Sequence, residues 1–401
     1  MKTQMIESVT IAQAYQTIQQ SIKIYFQKNK NGHYMMDRRR ARPICLMGPT
    51  GVGKTEIVRQ AAEKNGLAFL SYSITHHTRQ SIIGLPKLIE GDAAGRSCSM
   101  TEYTMSEIIA QVYKTMKESG KQEGILFLDE FNCASESLRP IMLQLLQDKS
   151  FGPHPIPDGW MLVLAGNPPE YNRSAAELDA VTADRMRLLY IQPDYNAWRD
   201  YIIQHDAHPA VVSYLDHHTE HFYVCQNTDN GTALATARGW EDLSLMATYL
   251  ENADEQMDLA LVAQFIQSRE AAHSFYQHYL QYRSILASDI PEQVMEKSPK
   301  AVASIQKMRT DRVWGLTAAL LRKYITEAQA VMEEPDETAW KDLYQKTANM
   351  ILVCNKFSDE KTPLKHLMHD LCHCKVTEKI LESYPNNSFR QLFQKTAKKF
   401  L

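Results

Sequence analysis

Eight consecutive residues early in the chain have the types and spacing needed to hold a phosphate group. They fit the pattern G-x-x-x-x-G-K followed by Ser or Thr, and are Gly48, Pro49, Thr50, Gly51, Val52, Gly53, Lys54 and Thr55. The glycines let backbone amides turn toward phosphate oxygens, and a following helix adds its partial positive charge. Lys54 can reach the β- and γ-phosphates, and the Thr55 hydroxyl can bind Mg²⁺. The complete match favours a nucleotide site over a glycine-rich turn that only caps a helix.

Two acids follow an apolar run further along the chain. Asp129 and Glu130 directly follow the run Ile125–Leu128. If this run is a buried strand, the two carboxylates lie at its carboxyl end, where nucleotides bind in parallel sheets. Asp129 suits the Mg²⁺ shell, and Glu130 suits a general base that activates the attacking water. A strand with a solvated acidic end is the alternative, and the upstream phosphate loop disfavours it.

Three further polar residues have positions that suit work on a phosphate. Asn167 follows the apolar run Met161–Ala165 and can hydrogen-bond the water and the γ-phosphate, although an Asn-Pro turn is the competing interpretation. Arg185 precedes the last predicted strand and can reach a neighbouring subunit's nucleotide. Arg238 opens a later helical pattern and can contact phosphate as a lid moves. For both arginines the alternative is an ordinary surface side chain.

Short apolar runs separated by helical stretches must position these residues. The runs lie between Gly, Pro or polar clusters, as buried parallel strands do, and are Ile44–Met47, Ala68–Tyr72, Ile125–Leu128, Met161–Ala165 and Leu188–Ile191. The pattern predicts an N-terminal helix and linker (1–42), a three-layer α/β core with a parallel sheet (43–193), an all-helical lid (194–290) and a helical C-terminal extension (291–401).

Composition narrows the class of protein. The chain has 401 residues, a net charge of −3 and 44% hydrophobic residues, so it can build a sizeable core and has no global basic field for nucleic acid. The local exception is a cluster of arginines at 38–40 and 42. No stretch approaches a membrane span or a signal peptide. Seven irregularly spaced cysteines indicate reduced thiols. We therefore expect a cytoplasmic protein without a membrane partner.

Taken in order, these elements resemble the AAA+ ATPases, and specifically their MoxR-like, RavA-related branch. The resemblance covers roughly residues 40–250 and includes Leu128–Glu130, Gly166–Pro168, Asp184–Met186 and Arg238–Glu241. It also includes a hairpin-like segment, Lys149–Trp160, and an insert at Ile74–Arg96.

The resemblance implies a hexameric ring, ATP with Mg²⁺, and chaperone-like remodelling of a protein partner that carries a von Willebrand factor A domain. MoxR proteins usually have Asp-Arg-Phe where this chain has Met186. That departure keeps Arg187 and Arg173 as rivals to Arg185 for the arginine that acts in trans.

Two alternative functions remain open at this point. A nucleic-acid motor is disfavoured because the hairpin-like segment lacks a basic and aromatic cluster, and a non-enzymatic switch is disfavoured because Glu130 and Asn167 complete a hydrolytic set. A separate metal site is suggested by His366, His369 and His373, which share a helical face. However, the adjacent cysteines would point apart, so ordinary packing of this helix is favoured.

Overall fold

The computed structural model describes residues 8–93, 96–228, 231–357, 361–384 and 387–400. The chain divides into two units, Met1–Asp194 and Tyr195–Leu401. The strands of the first unit are β1 (Ile44–Met47), β2 (Ala68–Ser73), β3 (Pro86–Ala93), β4 (Arg96–Tyr103), β5 (Gly124–Asp129), β6 (Ser150–Phe151), β7 (His154–Pro155), β8 (Trp160–Gly166) and β9 (Arg187–Tyr190). Its helices are α1 (Ile11–Tyr25), α2 (Lys54–Lys64), α3 (Arg79–Ile83), α4 (Glu107–Ser119), α5 (Arg139–Asp148) and α6 (Ala180–Ala183).

Five of the strands form one parallel sheet in the order β2-β5-β8-β1-β9. Its register places Ser73 level with Asp129, and Met47 level with Gly166. Since the strands are parallel, their carboxyl ends meet at one edge, which collects the polar residues that follow them. The remaining strands pair as two antiparallel hairpins, β3 with β4 and β6 with β7.

The central strands are apolar because helices cover both faces of the sheet. All seven residues of β8 are buried. On one face a core cluster joins Ile18 of α1 and Val58 of α2 to alternate strand residues such as Phe127. On the other face a second cluster joins Val112 of α4 and Leu145 of α5 to Leu126 and its neighbours. The first unit therefore has the predicted three-layer α/β arrangement, and α1, from the segment predicted as an N-terminal helix and linker, packs into one of its layers.

In its described residues, the second unit consists of helices and one hairpin. The helices are α7 (Tyr195–Ile203), α8 (Pro209–His217), α9 (Ala237–Asn252), α10 (Leu259–Phe265), α11 (Arg269–Leu286), α12 (Ile290–Met295), α13 (Pro299–Lys307), α14 (Thr310–Glu333), α15 (Glu337–Asn355), α16 (Thr362–His373), α17 (Lys375–Ser383) and α18 (Ser388–Phe400). The hairpin pairs β10 (Val224–Thr228) with β11 (Gly231–Ala235). Among the described residues of this unit, one hydrophobic core extends from Trp198 to Phe393, with α14 at its centre.

The fold class predicted from sequence is confirmed, with one correction. The parallel sheet and the helical C-terminal region are present, but the all-helical lid was wrong because the β10–β11 hairpin interrupts it. The division of the helical region at residue 290 stays a prediction. Among the described residues, no helix is both long and apolar enough to cross a membrane.

Candidate active site

The phosphate loop leaves β1 through a glycine that has no room for a side chain. A Cβ on Gly48 would lie 2.8 Å from the carbonyl oxygen of Ile191, just after β9. Gly51 and Gly53 have φ angles of 73° and 92°, a left-handed conformation that L side chains rarely adopt. Gly53 then becomes the N-cap of α2. The predicted loop therefore has its glycines where close packing and the turn demand them.

Lys54, the first residue of α2, has its ammonium buried at the centre of this loop. The Nζ atom donates to the carbonyl oxygens of Gly48 and Pro49 and to Oδ1 of Asn167, each at 2.8 Å. Burial raises the pKa of the Cys45 thiol beneath the loop to about 12, and the charge of Lys54 offsets part of that rise. The lysine therefore joins the phosphate loop to the residue that follows β8.

The two predicted carboxylates lie at the end of β5, beside β8. Asp129 is the last residue of the strand, and its Oδ1 accepts the backbone N–H of Glu130 at 2.8 Å. Glu130 has a φ of 54°, an uncommon conformation for a non-glycine residue, and a 3₁₀ turn starts directly after it. An uncommon backbone conformation therefore lies at the point where the two carboxylates leave the strand.

Two hydroxyl groups hold the Glu130 side chain. Ser73, the last residue of β2, donates to Oε2 at 2.9 Å, and Thr75 donates to the same oxygen at 3.0 Å. Sequence reasoning missed both residues. The available signal was a polar residue at the end of β2, because β2 lies next to β5 and Ser73 is level with Asp129.

The buried side chain of Asn132 links the segments that follow β5 and β8, and sequence reasoning did not identify it. Its Nδ2 donates to the carbonyl oxygens of Asn167 and Ala176 at 2.8 and 3.1 Å, and its Oδ1 accepts the Asn167 N–H at 3.3 Å. Gly166 leaves room for this side chain, since a Cβ there would lie 2.4 Å from Asn132 Oδ1. Asn132 therefore fixes the backbone that carries Asn167.

The candidate arginines differ in how the fold holds them. Arg185 donates to the carbonyl oxygen of Val181 in α6 at 2.6 Å. Arg187 begins β9 and donates to Ser21 of α1 at 2.7 Å, so its guanidinium is engaged within its own chain. Arg173 is exposed in the loop before α6, and Arg238 is exposed at the start of α9 in the second unit.

Thr55 and Asp129 supply the hard oxygen donors that Mg²⁺ requires. A hydroxyl on the first turn of α2 and a carboxylate at the end of β5 fit that ion by donor chemistry. Burial raises the pKa of the nearby Cys133 thiol, and the negative charges of Glu130 and Asp129 raise it further. The carboxyl ends of the strands therefore have two acidic side chains after β5 and the positively charged Lys54 in the loop and helix that follow β1.

Comparison with known proteins agrees with this geometry. Residues 43–186, about a third of the chain, match the family described as AAA domain (dynein-related subfamily). The chain is also similar to a Lon protease of Fusobacterium nucleatum subsp. nucleatum, at 29% identity over 119 residues. That match spans 28% of this chain and 14% of the length of the relative. The predicted recognition as an AAA+ ATPase is confirmed at this level, whereas the MoxR-like branch stays a prediction.

Proposed function

We propose that the AAA domain at residues 43–186, an ATP-hydrolysing module of the dynein-related subfamily, drives the remodelling of a protein partner by a homo-oligomeric ring. The observation that carries the catalytic part is the arrangement at one sheet edge. Lys54 contacts Asn167, which follows β8. Asp129 ends the neighbouring strand β5, and Glu130 comes directly after it. Together these groups supply phosphate binding, metal ligands and a base.

ATP is the substrate, and each residue has a separate task in the proposed mechanism. Lys54 exchanges the carbonyl oxygens of its own loop for phosphate oxygens. Mg²⁺, held by Thr55 and Asp129, would neutralise negative charge on those oxygens. Glu130 accepts the proton of the attacking water, and Asn167 orients that water with its amide.

The ring is proposed from the position of Arg185. It precedes β9, and β1 lies between β9 and the strands that carry Asn167 and Glu130. An arginine supplied to a neighbour's nucleotide can raise the hydrolysis rate about 10³–10⁵-fold. We propose a hexamer with Arg238 as a second phosphate contact, and keep Arg187 and Arg173 as alternatives.

The partner is proposed from the resemblance to MoxR-like proteins, as a protein with a von Willebrand factor A domain. Glu130→Gln should bind ATP and turn over poorly, because an amide cannot accept the water's proton. Such nucleotide-locked rings should retain their client. The experiment is affinity purification of this variant with ATP, with Lys54→Ala, at an ATP concentration too low to load it, as the control.

The outcome separates the proposed functions. A protein that is recovered with Glu130→Gln and is absent from the Lys54→Ala purification supports remodelling. Mass spectrometry then identifies that protein and hence its domains. Strong stimulation of the parent ATPase by DNA or RNA would support a nucleic-acid motor instead. Turnover by Glu130→Gln above about a tenth of the parent rate would exclude Glu130 as the base.

A further inference from the structure

Three potential metal ligands lie close together in the turn between α8 and β10. His218, Glu220 and His221 each offer one ligand atom, and these atoms all lie within 4.8 Å of one another. The Nδ1 atom of His218 is 3.1 Å from Oε1 of Glu220. Among the described residues this is the one such group of three His, Cys, Asp or Glu side chains. Neither the proposed ATPase nor the match to the AAA domain uses them.

One of the three ligand-atom distances already suits a transition metal ion. Ligands bound to tetrahedral Zn²⁺ at about 2.0–2.1 Å lie roughly 3.3 Å from each other. The 3.1 Å between His218 and Glu220 is close to that value. Two imidazoles and one carboxylate are also a donor set that zinc binds in proteins, with a fourth position left for water.

A buried tyrosine contacts one ring nitrogen of a candidate ligand. The Tyr214 hydroxyl lies 3.2 Å from the carbonyl oxygen of Ala271, to which it donates, and 2.6 Å from Nδ1 of His221. In the tautomer in which the hydroxyl donates to Ala271 and accepts the Nδ1–H of His221, the lone pair of His221 lies on Nε2 and is available to a metal ion. Ligating histidines commonly have this kind of outer hydrogen bond.

The backbone of the turn is already fixed without a metal. The N–H of His221 donates to the carbonyl oxygen of His218 at 3.0 Å, and a 3₁₀ helix covers Thr219–His221. The carbonyl oxygen of His221 accepts the indole N–H of Trp240 at 3.1 Å, and Trp240 is fully buried in α9. A preorganised turn reduces the entropy lost when its side chains converge on an ion.

The histidines of α16 make a poorer site by the same criteria. His366 and His369 have ring nitrogens 3.3 Å from the guanidinium of Arg199. That guanidinium also pairs with Asp216 and Asp370, so a permanent cation occupies the centre of the group. A divalent ion there would be repelled, which agrees with the expectation of ordinary packing.

From this geometry we propose that His218, Glu220 and His221 bind one zinc-class divalent transition metal ion. Water supplies the fourth ligand. The ion stabilises the 3₁₀ turn, and through it α9, because Trp240 of α9 donates to the carbonyl oxygen of His221. Trp240 is two residues after Arg238.

The test uses the tag-free full chain after dialysis against chelator. Zn²⁺ is titrated by calorimetry, and Co²⁺ is titrated by visible absorption because tetrahedral cobalt has an intense ligand-field band. We expect one equivalent of metal, a tetrahedral cobalt spectrum and a rise in melting temperature with Zn²⁺. Glu220→Gln and His221→Gln should each bind at least about tenfold more weakly.

Two controls keep the test specific. Glu220 is exposed, so Glu220→Gln should fold normally, as circular dichroism and melting without metal would verify. His273→Gln changes an exposed histidine on α11 and should bind like the parent. The proposal is overturned if the parent binds no stoichiometric metal, or if the ligand variants bind as tightly as the parent. It is also overturned if His366→Gln with His373→Gln abolishes binding instead.

Discussion

The ammonium of Lys54 lies 2.8 Å from the side-chain oxygen of Asn167, although 113 residues separate them in the chain. Lys54 belongs to the phosphate loop, which follows β1, and Asn167 directly follows β8. These two strands are adjacent in the sheet. The ammonium has three N–H bonds and three acceptors, so a bound phosphate must displace at least one of Gly48, Pro49 and Asn167. If the loop carbonyl oxygens are the ones displaced, as proposed above, Lys54 links the bound phosphate directly to Asn167.

Lys54→Ala should lower ATP affinity about 10- to 100-fold, because charged hydrogen bonds contribute about 1.5–3 kcal/mol each. Calorimetric titration with a non-hydrolysable ATP analogue measures the change. Lys64→Ala, an exposed lysine at the other end of α2, is the matched control and should bind normally. Affinity within twofold of the parent for Lys54→Ala would contradict the phosphate-loop assignment.

Removing both hydroxyls beside Glu130, with Ser73→Ala and Thr75→Val together, should lower kcat about tenfold. The carboxylate loses the two hydrogen bonds that orient it, whereas the phosphate loop is untouched. Steady-state ATPase rates and analogue affinity should show a kcat effect with unchanged binding. Ser71→Ala changes an exposed serine of the same strand and should have the parent rate. An unchanged kcat in the double variant would mean that other groups position Glu130.

Asn132→Ala should destabilise the first unit by about 2–3 kcal/mol, because the carbonyl oxygens of Asn167 and Ala176 lose a buried donor. Urea unfolding followed by tryptophan fluorescence measures this difference. Glu136→Ala, exposed in the same loop, is the control and should stay within about 0.5 kcal/mol of the parent. We also expect a lower ATPase rate, since the backbone of Asn167 is no longer fixed. Equal stability of Asn132→Ala and the control would show that Asn132 does not stabilise the segment that contains Asn167.

Arg185→Ala should assemble and bind ATP but hydrolyse it poorly. Mixing it with Lys54→Ala creates interfaces in which an intact Arg185 meets an intact phosphate loop, so activity should return from two inactive proteins. ATPase rate against mixing ratio, with native mass spectrometry to verify mixed rings, measures this. No recovery in verified mixed rings would show that Arg185 does not act in trans, and Arg187 and Arg173 would be tested next in the same way.

Asp216→Asn should destabilise the second unit at neutral pH by about 3–5 kcal/mol, because it leaves the buried guanidinium of Arg199 underpaired. Burial alone raises the pKa of Asp216, but His366 and Arg199 hold it at about 2, below its usual 3.8. The stabilisation is therefore full above pH 4 and is lost as the pH falls toward 2.

Urea unfolding of parent and variant from pH 7 to pH 2 tests this linkage. The difference between them should shrink below pH 4. Asp200→Asn, an exposed acid on α7, should show no comparable difference at any pH. A gap between parent and Asp216→Asn that stays constant down to pH 2 would argue against the ion pair.

Much of the first unit could be predicted because its signals are local in the chain. Buried parallel strands give continuous apolar runs, and a phosphate loop needs glycine at fixed positions. The hairpin β10–β11 gives no such signal, since Val224–Thr228 mixes apolar and polar residues without alternation.

Pairings across long sequence distances could not be predicted. Asn132 meets Asn167 35 residues away, and Thr75 meets Glu130 across 55 residues. A lone Asn or Thr in a turn has the same appearance whether or not such a partner exists. Only the strand order, with β2 beside β5 and β5 beside β8, brings these groups together.

The sheet ends at β9, whose outer side is met by Val9. The N–H of Val9 donates to Tyr190 at 2.7 Å, and its carbonyl oxygen accepts the N–H of Gln192 at 3.1 Å. An uncovered edge strand is a template on which another chain can add a strand. Val9 therefore occupies part of this edge, and Val9→Pro, which removes its N–H, should lower solubility before it lowers catalysis.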